Sequence, residues 1–211
     1  MAAIGHRAGG RPTREQAAAI DMLVLDGARA AFCAKGIAST SIEEIALRLG
    51  VSKHTIYRRY ANKAALLDAV VERDIRHFRT ALVAASAHSA DPLDALRRTA
   101  LRYFEFGASR DYSAFYLSVN AEAAVSPSLR KRLALWSGMA LEPLQAAIAS
   151  ARAEGSLCQE DPAAICEILV DLLEGANNRV RLHGDGELDS RSRRRLFDHR
   201  WAVFLAALGR T

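Results

Sequence analysis

Three of the five prolines in this 211-residue chain stand directly behind an Asp or a Ser, in Asp91-Pro92, Ser126-Pro127 and Asp161-Pro162. An Asp or Ser side chain accepts the unpaired N–H groups of a helix's first turn, and proline suits the first helical position because the N–H it lacks has no partner there. Each dipeptide therefore marks a helix start. Helices are expected over roughly residues 91–108, 126–154 and 161–182, with another over 111–125. The first third adds a helix over 13–35, from Thr13 as cap to Gly36 as stop, and one over 41–49. In that second stretch, "SIEEIALRL", Ile42, Ile45, Ala46 and Leu49 recur at the i, i+3, i+4, i+7 spacing of a buried stripe. Thr40 with Glu43, or Ser41 with Glu44, supplies a capping box, and Gly50 ends the helix. Ser52 can cap a short helix, and a long one begins near Asn62. "HGDGELDS" at 183–190 reads as a loop before a last helix, about 189–208. With little β-branched alternation, the expected fold class is all-α, about nine helices without an internal repeat.

Charge divides the chain unevenly. Residues 1–63 hold ten Lys or Arg against five Asp or Glu, and the remainder holds nineteen of each. All of the +5 net charge therefore lies in the first third, which points to a polyanion bound there. No apolar run approaches the roughly 18 residues that a bilayer demands, so no membrane is expected as partner. "MAAIGHRAGGRP" has no apolar core, so no signal peptide is expected. Cys33, Cys158 and Cys166 lack metal-ligand spacing and are odd in number, as suits inert thiols in a reducing cytoplasm. His77, His88, His183 and His199 share no metal spacing either, and no metal or other cofactor is expected. Phosphate loops, H-E-x-x-H and nucleophile elbows are absent from the sequence, so catalysis is not expected.

The stretch "GVSKHTIYRRYANK", residues 50–63, carries the positive charge at highest density. A helix, a glycine turn and a short basic helix make a helix-turn-helix. On the short helix, Ile56 and Tyr60 are four apart and can pack inward with Val51. Lys53 with Tyr57, and His54 with Arg58, share that spacing and project from the other side. The major groove of duplex DNA admits one helix, and Lys or Arg can bond guanine O6 and N7 there. Tyr57 offers a hydroxyl to phosphate and a ring to a thymine methyl. Thr40 and Ser41 can present hydroxyls to phosphate, and Arg59 and Lys63 can grip the opposite backbone. The run "RSRRR" at 191–195 has Asp185, Glu187, Asp189 and Asp198 nearby and reads instead as a solvated face.

These residues resemble the TetR family of transcriptional repressors over roughly residues 13–75. "TSIEEIALRLGVSKHTIYRRYANKAALLDAV" lies beside family forms such as T-T-h-x-x-I-A-x-x-A-G-V-S-x-x-T-h-Y-x-H-F-x-x-K-x-x-L. The resemblance implies DNA contacts at Thr40, Ser41, Ser52, Lys53, His54, Thr55, Tyr57, Arg58, Arg59 and Lys63. His54, Arg59 and Tyr60 depart from the commonest pattern, which bears on the bases read rather than on DNA as partner. The implied organisation is a flexible basic arm at 1–12, a DNA-binding domain at 13–75, and an effector-binding, dimerising domain at 76–211. The implied function is a ligand-responsive repressor that holds a palindromic, double-stranded DNA operator as a homodimer. A protein-interaction adaptor, or an all-helical enzyme reusing the helix-turn-helix, is the alternative; steeply salt-dependent DNA binding would discriminate against both.

Two surfaces of the C-terminal portion remain to be placed. Ile165, Ile168, Leu169, Leu172, Leu173 and Ala176 form one apolar stripe, and Phe197, Trp201, Phe204, Leu205 and Leu208 another. Two such helices per chain can build a four-helix dimer interface, though an ordinary core would use the same residues. Aromatics gather at Tyr103, Phe104, Phe106, Tyr112, Phe115, Tyr116 and Trp136, with Asn120 and Ser137 among them. Rings with a few placed polar groups suit a pocket, and the resemblance implies one between these helices. The expected effector is small and apolar or aromatic, since no carboxylate or arginine is stranded among the rings except Arg102, Glu105 and Glu122, which are expected to be exposed.

Overall fold

Thr13 opens the first helix by accepting the Gln16 N–H at 3.2 Å, while the Gln16 side chain accepts the Thr13 N–H at 3.0 Å. The computed structural model describes residues 13–182 and 189–210; the expected basic arm and most of the expected 183–190 loop lie outside the described residues. Among these residues the chain forms nine α-helices, with a single isolated β-bridge and no strand. They are α1 (Arg14–Lys35), α2 (Ile42–Leu49), α3 (Lys53–Tyr57), α4 (Lys63–Ser86), α5 (Pro92–Ala108), α6 (Arg110–Val125), α7 (Pro127–Ala153), α8 (Pro162–Leu182) and α9 (Ser190–Leu208). The chain divides after Val70, inside α4, into two units.

In the first unit α1 packs on α2 and α2 on α3. Of the two possible caps of α2, Ser41 is the one used: its hydroxyl oxygen accepts the Glu44 N–H at 3.1 Å. Gly50 ends α2 at φ +66°, a left-handed conformation that glycine adopts without a Cβ penalty. Five residues are too few to make α3 stable alone. It is held by Ser52, which accepts the Thr55 N–H, and by Ile56, fully buried among the helices before it. Burial of such a side chain contributes about 2 kcal/mol.

The second unit is a bundle in which α5 packs against α7 and α8, α6 against α7, and α8 against α9. Its core runs through Leu96, Phe104, Leu144, Ile148, Leu169, Leu173, Phe197 and Phe204. The three Asp-Pro and Ser-Pro dipeptides lie at the starts of α5, α7 and α8. α7 continues through Pro143, whose absent N–H leaves the exposed Met139 carbonyl without its usual partner. Gly107 on α5 lets α8 come close: a Cβ there would stand 2.1 Å from Asn177 Nδ2. The chain beyond α9 is stitched to the α7–α8 connection by Cys158 N–H to Leu208 O at 2.8 Å and Arg210 N–H to Ser156 O at 3.1 Å. Among the described residues no helix is long and apolar enough to cross a membrane, and no cluster of His, Cys, Asp or Glu could hold a metal.

Candidate nucleic-acid interface and effector cavity

With Ile56 turned inward, α3 and its C-cap present Lys53, His54, Tyr57 and Arg58 to solvent, the side expected from their spacing. Ser41 and Ser52 are exposed beside them. The Tyr57 hydroxyl donates to Glu43 Oε1 at 3.4 Å. Partial desolvation of the phenol and then the Glu43 carboxylate push its pKa upward, so Tyr57 remains a neutral donor at neutral pH. Ser52 and Thr55 share a hydrogen bond of 2.9 Å between their hydroxyls.

Three expected DNA contacts face the protein instead. Thr40 is buried, and its hydroxyl donates to the Gly36 carbonyl at 2.7 Å, closing the turn after α1. Arg59 bonds the Thr55 carbonyl and pairs with Asp21 of α1, leaving its side chain 14% exposed. Lys63 sends its ammonium to the carbonyls of Ile37, Ala38 and Thr40 at 2.7, 2.9 and 2.9 Å. An ammonium has three N–H donors, and all three are committed. These side chains shape the surface that carries the exposed ones.

In the second unit, helices α4 to α8 enclose two adjoining cavities of about 180 and 70 Å³, which share Tyr112, Tyr116, Ser137 and Ala140 as walls. The larger is lined also by Phe78, Tyr103 and Glu174, and the smaller by Val71, Asp74, Phe115 and Trp136. Phe78 sits at the centre of the ring cluster, stacked on Tyr112 at 5.7 Å and meeting Tyr103 and Phe106 edge-on. Of the nine pocket residues expected, Tyr103, Tyr112, Phe115, Tyr116, Trp136 and Ser137 line the cavities. Phe104 does not: it is buried in the core beside Phe197, at 6.0 Å. Phe106 backs the wall under the Arg102 guanidinium, and Asn120 donates to the Tyr116 carbonyl of its own helix at 2.8 Å.

The cavity also holds a carboxylate that the sequence did not lead us to expect. Glu174 Oε1 accepts from the Tyr103 hydroxyl at 3.1 Å and the Asn177 amide at 3.2 Å, and Oε2 accepts from Arg181 at 3.2 Å. Burial, and next the Glu174 charge, drive the Tyr103 pKa well above its ordinary value, so its proton stays on the phenol. Glu174, Asn177 and Arg181 share an i, i+3, i+7 spacing on α8, but that helix also carries Glu167, Asp171, Asn178 and Arg179, so the sequence alone does not single this cluster out.

The model of the AefR-like transcriptional repressor C-terminal domain matches residues 94–210, and that of bacterial regulatory proteins of the tetR family matches residues 24–70. The chain belongs to the TetR family of transcriptional regulators. It is 32% identical over 95 residues to the HTH-type transcriptional regulator TtgR of Pseudomonas putida, a match covering 44% of this chain and 45%, less than half, of that relative. In three dimensions it resembles a TetR-family transcriptional regulator from Mesorhizobium loti, at 24% identity and TM-score 0.74, over 94% of this chain and all of the other. It resembles the protein of a SmeT–triclosan complex at 23% identity and TM-score 0.71, covering 91% and 92% of the two chains. A transcriptional regulator from Saccharomonospora viridis, solved with choline, is alike at 19% and TM-score 0.72, covering 92% and all of the two. At these identities the structures show the shared fold alone.

For a TetR-family chain the distribution of apolar residues on α8 and α9 then bears on self-association. Seven of the eleven stripe residues, Ile165, Leu169, Leu173, Ala176, Phe197, Trp201 and Phe204, are buried in the chain's own core and cannot reach a partner. The reason is geometric: α8 packs against α5 and α7, and α9 against α8 and α5, so these residues cover the apolar sides of their own neighbours. Leu172, Leu205 and Leu208 are half-buried, and Ile168 is exposed. The outer side of α8 carries Ala164, Ile168 and Gly175, and that of α9 carries Ala202, Val203 and Ala206, all exposed. These small and apolar side chains share their faces with exposed Asp171 on α8 and exposed Arg195 and His199 on α9.

Proposed function

We propose that the chain is a dimeric, effector-responsive repressor that binds a two-fold symmetric DNA operator. The observation that carries this reading is the exposed Lys53–His54–Tyr57–Arg58 face of α3, held on the buried Ile56 in the same chain as a ring-lined cavity. Lys53, His54 and Arg58 read base edges or phosphate, Tyr57 donates its hydroxyl, and Ser41 and Ser52 offer hydroxyls to the backbone. Two copies associate through the outer faces of α8 and α9, where small side chains let helices approach closely. A dimer presents two such α3 helices, which occupy successive major grooves when about 34–36 Å apart.

An effector in the cavity of α4 to α8 favours another spacing and weakens operator binding by its differential affinity for the two states. A tenfold loss of operator affinity asks for only ~1.4 kcal/mol of that difference. α4 has residues in both units: Lys63 at its start, and Val71, Asp74 and Phe78 among the cavity walls. The structural neighbours solved with triclosan and with choline support a small molecule as effector in this fold.

The test is selection of bound sequences from a random DNA pool, followed by affinity against salt. A palindromic consensus and an affinity falling steeply with salt are expected. Lys53→Ala is expected to relax the preference at one position of each half-site by about 1–3 kcal/mol. Salt-insensitive binding, or no enrichment, rejects the proposal in favour of an adaptor.

A further inference from the structure

The polar groups that meet Glu174 at the larger cavity have their protons committed to it. The Tyr103 hydroxyl has given its one proton to Glu174, and Arg181 spans Glu174 and the Gly107 carbonyl without itself lining the cavity. A carboxylate has about four lone-pair sites, and Glu174 uses three; the open one is on Oε2, which accepts from Arg181 alone. Behind it, Asn177 is fully buried and its Oδ1 has no partner. The amide orientation is fixed by chemistry, since the reverse would set Oδ1 against the carboxylate. Unfilled acceptors on Glu174 and Asn177 thus face or back this end, while the Tyr112 and Tyr116 hydroxyls lie elsewhere on the cavity wall. Ser137, where the two cavities meet, can both donate and accept and imposes no preference.

From this we infer that Glu174 is the specificity-determining acceptor of the effector site, and that the effector is an uncharged aromatic compound with an O–H or N–H donor directed at the carboxylate. The inference rests on the cavity being the effector site proposed above. The aromatic body is set by Phe78, Tyr103, Tyr112 and Tyr116. The volume of about 180 Å³ exceeds the ~150 Å³ of an engineered cavity that takes up benzene. The donor is set by the open lone pair: a ligand without one strips water from a carboxylate and returns nothing, and sites built to hydrogen-bond a hydroxyl reject analogues that lack it. Neutrality is set by Arg181, which already balances the charge of Glu174. An anion would meet the carboxylate directly, and a cation would be desolvated beside a pair that is balanced without it.

Calorimetric titration of the full chain, without DNA, with four naphthalene probes tests this: 2-naphthol, 2-methoxynaphthalene, 2-naphthoate and 2-naphthylmethylammonium. Expected is 2-naphthol binding at least about tenfold more tightly than each of the others. Glu174→Gln is expected to shrink the naphthol-to-methoxynaphthalene ratio below about threefold. Tyr103→Phe, which returns a lone pair to Glu174 Oε1, is expected to keep or widen it, and it serves alone if Glu174→Gln does not fold. Naphthol and its methyl ether binding equally, the ammonium binding more tightly than naphthol, or Tyr103→Phe abolishing the preference would each overturn the assignment while leaving the cavity as the effector site. Failure of every probe to bind would overturn it together with the cavity reading.

Discussion

Replacing Lys63 by methionine separates two uses of one ammonium. Methionine keeps most of the apolar stem and removes the three donors that hold the carbonyls of Ile37, Ala38 and Thr40. Two of those bonds are part-buried and one is exposed. A part-buried acceptor left unmatched costs about 1–2 kcal/mol, whereas water can replace the exposed bond, so a loss of about 2–4 kcal/mol is expected. In a domain of this size each kcal/mol moves the melting midpoint by roughly 4–8 °C, so the first unit should melt about 10 °C or more below wild type. The assay is selective because both tryptophans, Trp136 and Trp201, lie in the second unit. Far-UV ellipticity follows both units, and tryptophan fluorescence follows only the second. The fluorescence transition should stay in place while the ellipticity transition gains an early phase. If the ellipticity profile stayed unchanged while the slope of log affinity against log salt fell by about 0.9, as losing one phosphate contact produces, the structural assignment would be refuted.

Ile168→Glu with Leu172→Glu should give folded monomers in sedimentation with weak operator binding, whereas Leu173→Glu, placing a charge in a fully buried position, should unfold the second unit; an unchanged dimer mass for the first pair sinks the outer-face assignment. Gly107→Ala should lower thermal stability by about 1–3 kcal/mol, since its Cβ meets Asn177 at 2.1 Å, and adding Asn177→Ala should restore part of it; additive losses contradict the steric account. Asp189 caps α9, and its hydrogen bonds from Ser192 hold the carboxyl below its ordinary pKa. A depressed carboxyl pKa stabilises above the unfolded value and loses that contribution as pH falls through the folded one. Urea midpoints of wild type and Asp189→Asn should therefore diverge at neutral pH and converge below about pH 4.

Much of the fold was legible because its punctuation is local. Thr13, Ser52 and the Ser126-Pro127 dipeptide act within three residues of themselves, and the expected helix limits follow from them. The outward face of α3 was legible for the same reason, given Ile56 as its anchor. Long-range partners were not. Lys63 reads as one more cation on a basic segment until its carbonyl partners, 23 to 26 residues earlier, are brought beside it. Glu174 gives no sign of its role because Tyr103, its partner, is 71 residues away. The stripes on α8 and α9 show that a side is apolar, and periodicity does not distinguish a side turned to the chain's own core from one turned to a second copy. Leu169 and Ile168 are neighbours in sequence and opposite in exposure.

The contact between positions 107 and 177 also restricts the order in which this sequence can drift. As long as asparagine occupies 177, a side chain at 107 must displace the Asn177 amide from its bond to Glu174, so glycine is favoured at 107. Asparagine, in turn, is tied to the carboxylate of Glu174. A lineage that exchanges the polar end of its cavity for an apolar one can shrink 177 first and only then enlarge 107. The reverse order passes through an unstable intermediate. Ligand preference and helix spacing are therefore expected to covary at these positions among descendants of this chain.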